Sequence, residues 1–500
     1  MPELSQSEKT WVLALASVAS CMVALDALVV TTALSEIRLN LGASIEALEW
    51  TVNAYNLSFA VLLLTGTTLG DRFGRRRMFA FGIWLFAGAS AACALASSVG
   101  WLIAARAVQG AGAALVVPLA MALLSAAFPR EERGKALGIF SGVTGVALIA
   151  GPVVGGAIAQ GLAWQWIFWI NLPIAVIVIP MVTRRIDESF GPSTALDMPG
   201  LALVTGSALA LVWGLMRGNS AGWSSPEVLL TLGAGLLLAT IFVAWELRAR
   251  APMVPMRFFQ SRAFAAGIGA SFFFYASMYG VLFFLPQFLQ IAQGRGPFGA
   301  GLRLLPWTAT LFVVAPVAGA LVNRIGERAL IVTGLILQAL GMAWIGLIVT
   351  PDLAYVQLIA PLILAGAGVS MAMPAAQNAV FSLVTASEIG KASGTFNTLR
   401  YLGGVFGIAV LVVEFAQRGN FTSAHAFSKG FAPAMGVAAG LSLVAAVAAW
   451  RCRPGEQPLE VRGAVDGSPF LPAAVGTVAL CQEPTCTKCT RHRQGFNLAR

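Results

Sequence analysis

Leu69-Gly70-Asp71-Arg72-Phe73-Gly74-Arg75-Arg76 returns 252 residues later as Leu321-Val322-Asn323-Arg324-Ile325-Gly326-Glu327-Arg328. Each copy ends one apolar run at a basic turn and is followed by another apolar run. Agreement in motif and in place within each half implies an internal repeat. Two six-span bundles related by an axis along the membrane normal produce such a repeat.

Composition agrees with a chain built for lipid. Its 500 residues are 58% hydrophobic and only 11% charged, with a mean hydropathy of +0.79. A soluble protein of this size needs more charge to cover its surface. A span needs about 20 mainly apolar residues. By that rule the runs 12–32, 48–70, 78–97, 101–123, 136–158, 166–184, 200–217, 228–247, 264–285, 304–323, 329–349, 354–374, 394–415 and 431–450 are fourteen candidates. The expected fold is therefore an all-α polytopic membrane protein, with two six-helix bundles (12–184 and 264–450) and an inserted transmembrane pair with linkers (185–263). Residues 1–11 form the leading segment, without a basic n-region or a clear small-residue cleavage site, and 451–500 a polar tail expected to be disordered.

The net charge of +10 fits topology better than nucleic acid. Alternate loops carry Arg72, Arg75, Arg76 and Arg77; Arg130, Arg133 and Lys135; Arg184 and Arg185; Arg248, Arg250, Arg257 and Arg262; Arg324 and Arg328; and Lys391. The opposite set holds only Arg38, Arg217, Arg295, Arg418 and Lys429. The positive-inside rule then places both termini in the cytoplasm. Cys21 and Cys93 fall in spans and Cys452 at a span end, which offers no disulfide framework. In the tail, Cys481, Cys486, Cys489 and His492 have a loosely metal-like spacing without a flanking fold signature. There is no phosphate-binding loop, the two histidines lie far apart, and no catalytic constellation appears, so no enzyme activity is expected.

Asp26 is the only carboxylate between Trp11 and Thr32. A charged group inside a span is costly and points to function; a mid-span carboxyl can bind and release a proton. Arg106 is the cation to weigh against it. At 1.5 Å per residue, Arg106 lies roughly 7–8 Å and Asp26 roughly 9 Å below the outer ends of their spans, so the two are candidate partners. The alternative is that Arg106 snorkels to headgroups and Asp26 faces water. From Leu247 to Gly326 there is no carboxylate, which concentrates proton coupling on Asp26. Tyr55, Asn56, Gln109 and Asn378 could supply polar contacts in a cavity, or serve as helix–helix contacts; Arg400 could line the central cavity or reach back to the interface.

Several motifs resemble those of the major facilitator superfamily. Gly66, Gly70, Asp71, Arg72, Gly74, Arg75 and Arg76 match its loop between the second and third spans. Gly66 and Gly70 allow close helix contact, Gly74 suits a tight turn, and Asp71 can accept from the next helix's N-terminus or from a neighbouring arginine. Anchoring at the membrane surface would explain the arginines but not the Gly and Asp spacing. In the family this loop acts as a cytoplasmic latch. The Leu102–Ala114 stretch, with Arg106, Gln109, Gly110 and Gly112, is similar to the fourth-span motif, whose arginine is linked to proton transfer. Gly151-Pro152-Val153-Val154-Gly155-Gly156 is similar to the fifth-span motif of antiporters, with Ala147 where a glycine usually stands; a packing role alone is the other reading.

Three further segments resemble the fourteen-span drug:proton antiporter branch: Ala24–Leu34 around Asp26, Trp164–Pro173 with Asn171, and Gly390–Gly404 through Asn397 and Arg400. The resemblance covers roughly residues 10–450. It implies a multidrug efflux permease in the cell inner membrane that exchanges protons for hydrophobic or amphipathic compounds. Its partners would be a small-molecule organic substrate, protons and the lipid bilayer, with no nucleic acid and no cofactor beyond the proton gradient. A dedicated exporter of one endogenous metabolite, such as an antibiotic or siderophore, is the nearest alternative. A non-transporting scaffold or receptor on the same fold is a second.

Overall fold

The computed structural model describes residues 5–191, 197–249, 252–384 and 388–451; Cys481, Cys486, Cys489, His492 and the rest of the tail lie outside them. Helices α1 (Gln6–Leu41), α2 (Ile45–Phe73), α3 (Arg75–Ala94), α4 (Val99–Ala127), α5 (Arg130–Gly161), α6 (Trp166–Trp169) and α7 (Asn171–Arg185) build the first bundle. The inserted pair is α8 (Met198–Ala221) and α9 (Pro226–Glu246). The second bundle holds α10 (Arg262–Gln287), α11 (Pro297–Arg303), α12 (Leu305–Thr308), α13 (Thr310–Ile325), α14 (Glu327–Ile348), α15 (Tyr355–Phe381), α16 (Ile389–Arg418) and α17 (Ala424–Trp450). Among the described residues, fourteen segments are long and apolar enough to cross a bilayer.

Helix ends follow local chemistry. Ser5, Ser44, Ser98, Ser225, Ser261 and Ser423 each cap a long helix by accepting from a backbone N–H in its first turn, a contact worth about 1 kcal/mol. Both copies of the repeated turn adopt the same unusual backbone, with Gly74 at φ +103° and Gly326 at φ +82°. A side chain is strained there, so the glycine is the part of the repeat that the turn itself requires.

Several spans differ from the sequence expectation, and two of the differences bear on the site and the bundle contacts. The first, expected over 12–32, is a 36-residue helix. At 1.5 Å per residue it is about 54 Å long, well beyond a hydrocarbon core of about 30 Å. A capping box between Ser5 and Glu8 starts it early, and Gly42 at φ 62° ends it late. The tenth, expected over 304–323, begins at Pro297 and is broken into α11, α12 and α13. Proline at the start of α11 and α12 supplies no N–H to a continuous ladder.

The bundles meet along two seams, α5 against α11 and α2 against α16. The first is tight at the face opposite the arginine-rich turns. A Cβ on Gly156 would overlap the Pro297 carbonyl, and one on Gly301 the Pro152 carbonyl. Phe298 N donates to Gln160 Oε1 (3.1 Å), and Gln290 Nε2 donates to the Thr32 carbonyl (2.8 Å). The stripe of α5 that grips α11 continues at helical spacing through Gly145, Gly142 and Gly138. A Cβ at any of those three would meet nothing within 4 Å. The seam is therefore closed at one face and parted towards the arginine-rich face. α8 rests on α2 and α16, with Trp213 and Trp50 rings 6.1 Å apart, and α9 packs on α8.

Candidate functional site

The structure brings Asp26 and Arg106 together inside the first bundle. Arg106 Nη1 donates to Asp26 Oδ2 at 2.5 Å, and both side chains are almost wholly buried. The other carboxylate oxygen, Oδ1, accepts from Gln109 Nε2 (2.8 Å) and Asn171 Nδ2 (2.9 Å). Ser90 Oγ accepts from both amides, at 2.7 and 3.2 Å. Arg106 also donates to Gln109 Oε1 (2.5 Å) and, through Nε, to the Thr51 carbonyl (3.2 Å). Its guanidinium lies 4.2 Å from the Tyr55 ring centre. Three donors, one of them the Arg106 cation, surround the carboxylate, an arrangement that offsets the cost of burying a charge there. Four helices, α1, α3, α4 and α7, are tied at this one group.

Sequence reading left Asn171 and Ser90 out of this site. Asn171 was visible only as part of a motif, and Ser90 as a small polar residue in a span. The signal that would have found them is depth: both fall in the half of their spans where Asp26 lies. Gln109 and Tyr55, read as cavity or contact residues, are buried members of the Asp26 network. Asn56 is likewise buried in α2.

Asn378 is also placed elsewhere. It is exposed, and its amide donates to Glu327 at the first turn of α14, so it tethers a helix end at the arginine-rich face. Arg400 reaches inward rather than back to the interface. Its guanidinium stands 4.4 Å from the Tyr275 ring and 5.3 Å from Tyr401. Tyr401 meets Phe59 of α2 edge-on at 4.4 Å, so this half-buried cation sits at the seam between bundles.

The second bundle has an uncharged polar tie on the corresponding helices. Gln338 Nε2 (α14) donates to Ser277 Oγ (α10) at 3.1 Å, and Ser442 Oγ (α17) donates to the same oxygen at 2.9 Å. The repeat thus keeps a three-helix polar crosslink in both halves but places a carboxylate and an arginine in only one.

The glycines of the fifth-span motif sit between Asp26's helix and the second bundle. A Cβ on Gly151 would stand 2.8 Å from Leu28 Cβ, and one on Gly155 would stand 2.8 Å from Val29 Cα. Leu28 and Val29 are two and three residues beyond Asp26. The opposite edge of the motif, Pro152 and Gly156, carries the α11 contact described above.

The loop motif grips a segment of its own half. Asp71 Oδ1 accepts from Arg75 Nε (2.8 Å) and Nη2 (2.7 Å). It does not cap α3, as the sequence had allowed. Glu188, unmarked in the sequence, does so by accepting from Arg76 N (2.9 Å) and Arg77 N (3.3 Å). The Arg75 N–H donates to the Ser189 carbonyl (2.9 Å), and the Gly191 N–H to the Asp71 carbonyl (3.2 Å). Gly66 and Gly70 abut α4 at Ala114 and Leu119. Arg72 is exposed beside Phe73.

Known proteins agree with this architecture. A family model described as Major Facilitator Superfamily matches residues 16–408. The chain is 34% identical over 392 residues to the multidrug resistance protein Stp of Mycobacterium tuberculosis, covering 78% of this chain and 73% of that one. It is 35% identical over 399 residues to the tetracenomycin C resistance and export protein of Streptomyces glaucescens (79% and 74% covered). With the cephamycin export protein CmcT of Amycolatopsis lactamdurans it shares 36% over 416 residues (81% and 85% covered). Among solved structures, an auto-inhibited POT family peptide transporter superposes with a TM-score of 0.67 at 16% identity, over 90% of this chain and 98% of that one, which bears on the fold alone. With two bundles, paired seams and these relatives, the chain belongs to the Major Facilitator Superfamily and is a multi-pass membrane transporter, not an enzyme.

Proposed function

We propose that this protein is a proton-coupled antiporter that exports hydrophobic or amphipathic organic compounds across the cell inner membrane by alternating access. The observation that carries it is the buried Asp26 carboxylate, held by Arg106 and Gln109 of α4 and Asn171 of α7. The excess of arginine at one face supports a cytoplasmic placement of that face and of both termini. Relatives named for drug resistance and antibiotic export support the direction of transport. The proton gradient serves as the energy source, with no cofactor.

Charge and packing together suggest the cycle. Protonation removes the ion pair, so Asp26 no longer ties Arg106 as strongly. The change passes along one turn of α1 to Leu28 and Val29, which abut Gly151 and Gly155 of α5. The other edge of α5 holds α11 of the second bundle, so a shift of α1 acts on the seam. Alternating access opens the carboxyl to each side of the membrane in turn, so the proton binds from one side and leaves to the other. Substrate passes between the bundles, where Tyr279, Arg400 and Tyr401 are half-exposed.

Proteoliposomes with an imposed pH gradient test the reading. Asp26→Asn abolishes gradient-driven export, and Asp26→Glu keeps part of it; full export by Asp26→Asn overturns the proton role. A dedicated exporter of one compound is the second reading, favoured by relatives named for single antibiotics. A substrate panel that yields one transported compound selects it.

A further inference from the structure

Glu49 is a second carboxylate with no exposed surface, and the cycle above does not use it. It lies one turn into α2, about 6 Å from the helix start at the face opposite the arginines. Oε1 accepts from Asn53 Nδ2 at 3.2 Å. Among the described residues Oε2 has no hydrogen-bond partner, and neither does Oδ1 of the same Asn53 amide. The contrast with Asp26 is direct: that carboxylate has three donors, one of them an arginine, whereas this one has a single amide. As an anion, Glu49 would be a buried and uncompensated charge. One proton on the carboxyl supplies the donor that the Glu49–Asn53 pair lacks.

The ionisable groups around it offer no counter-charge. On α2 the nearest is Glu46, of the same sign. α1 presents Asp26, which Arg106 of α4 already holds. α3 presents Cys93, α8 presents Arg217, paired with Glu227, and α16 presents Glu414 and Arg418, paired with each other. Among the described residues no salt bridge is made by Glu49.

Helical spacing places Glu49 on the side of α2 that meets the second bundle. Glu49, Asn53, Asn56, Ala60 and Leu64 recur at helical spacing along one stripe of α2. That stripe faces α16 where Leu64 meets Gly394 and where Thr398 Oγ1 donates to the Ala60 carbonyl (3.1 Å). The two helices run antiparallel. The same register carries Glu49 to the level of Ala409, which is itself fully buried.

We propose that Glu49 is a proton-operated latch: the seam at the face opposite the arginines closes over the neutral acid and parts when the carboxyl ionises. The latch rests on alternating access in this chain, not on Asp26 as the coupling group. Its consequence is that acid at that face favours the closed seam whether or not Asp26 can titrate.

Spin labels introduced as unnatural amino acids at positions 39 and 356, on exposed residues at that face of the two bundles, report the seam by pulsed EPR in lipid nanodiscs. In the otherwise unaltered full chain the inter-label distance lengthens as pH rises. Glu49→Gln, a neutral isostere, holds the short distance at every pH. Glu49→Asp keeps a pH-dependent transition, and so does Asp26→Asn. A Glu49→Gln curve that follows the parent curve, or a parent distance that ignores pH, overturns the latch. A transition abolished by Asp26→Asn but kept by Glu49→Gln overturns it too, and assigns the response to Asp26.

Discussion

Asn171 Nδ2 stands 2.9 Å from Asp26 Oδ1, a contact across 145 residues of chain. It joins the start of α7 to the middle of α1 and, through Ser90, to α3. The amide donates only, so it stabilises the ionised carboxylate without adding charge. Arg106 supplies attraction; Asn171 and Gln109 supply geometry.

Replacing Asn171 by leucine therefore removes one donor from the charged form of Asp26. A hydrogen bond to a charged group is worth about 1.5–3 kcal/mol. Losing it loosens the tie between α7 and α1, and gradient-driven export is expected to fall by about tenfold or more. Transport rates in proteoliposomes with an imposed pH gradient measure it, with Gln338→Leu in the second bundle as the comparison that leaves the Asp26 contacts in place.

Arg106→Met leaves Asp26 buried without its cation. Breaking a buried pair from one side costs about 3–5 kcal/mol, unless the acid takes up a proton. Thermal unfolding in detergent is expected to show a clear loss for Arg106→Met. Adding Asp26→Asn to the same chain is expected to recover much of that loss, because the unpaired charge is gone. Additive losses in the double variant would show that the two side chains act separately.

Gly156→Val puts a side chain where the Pro297 carbonyl lies. The chain folds, since the clash is between bundles rather than within one, but the α5–α11 seam cannot close. Export is expected to fall at least about tenfold, the scale of a 1.4 kcal/mol bias against the closed state. A cysteine at position 298 reacts with a membrane-impermeant thiol reagent faster than in the parent.

Glu188→Gln weakens the cap on α3 by removing the charge that faces the helix N-terminus. Such contacts are worth about 0.3–1 kcal/mol near the surface. The expected result is a small drop in thermal stability with the pH dependence of transport unchanged. A shifted pH profile would show instead that this segment communicates with Asp26.

Much of this protein is legible in one dimension because lipid imposes a one-dimensional rule: a span must be long, apolar and internally hydrogen-bonded. Fourteen spans, the repeated glycine turn, and the cost of Asp26 all follow from counting along the chain. Depth, too, is linear in residue number, which is why Asp26 and Arg106 could be matched before any fold was known. Rotation about each helix axis is not linear, and only packing decides it. It turned Tyr55 and Gln109 into the Asp26 network, brought Asn171 and Ser90 to the same carboxylate, and carried Asn378 to a helix end. Glu49 shows the limit most sharply. Four residues into its helix, its place in the chain does not say whether it is buried. The helices packed around α2 bury it, and that burial makes its proton matter.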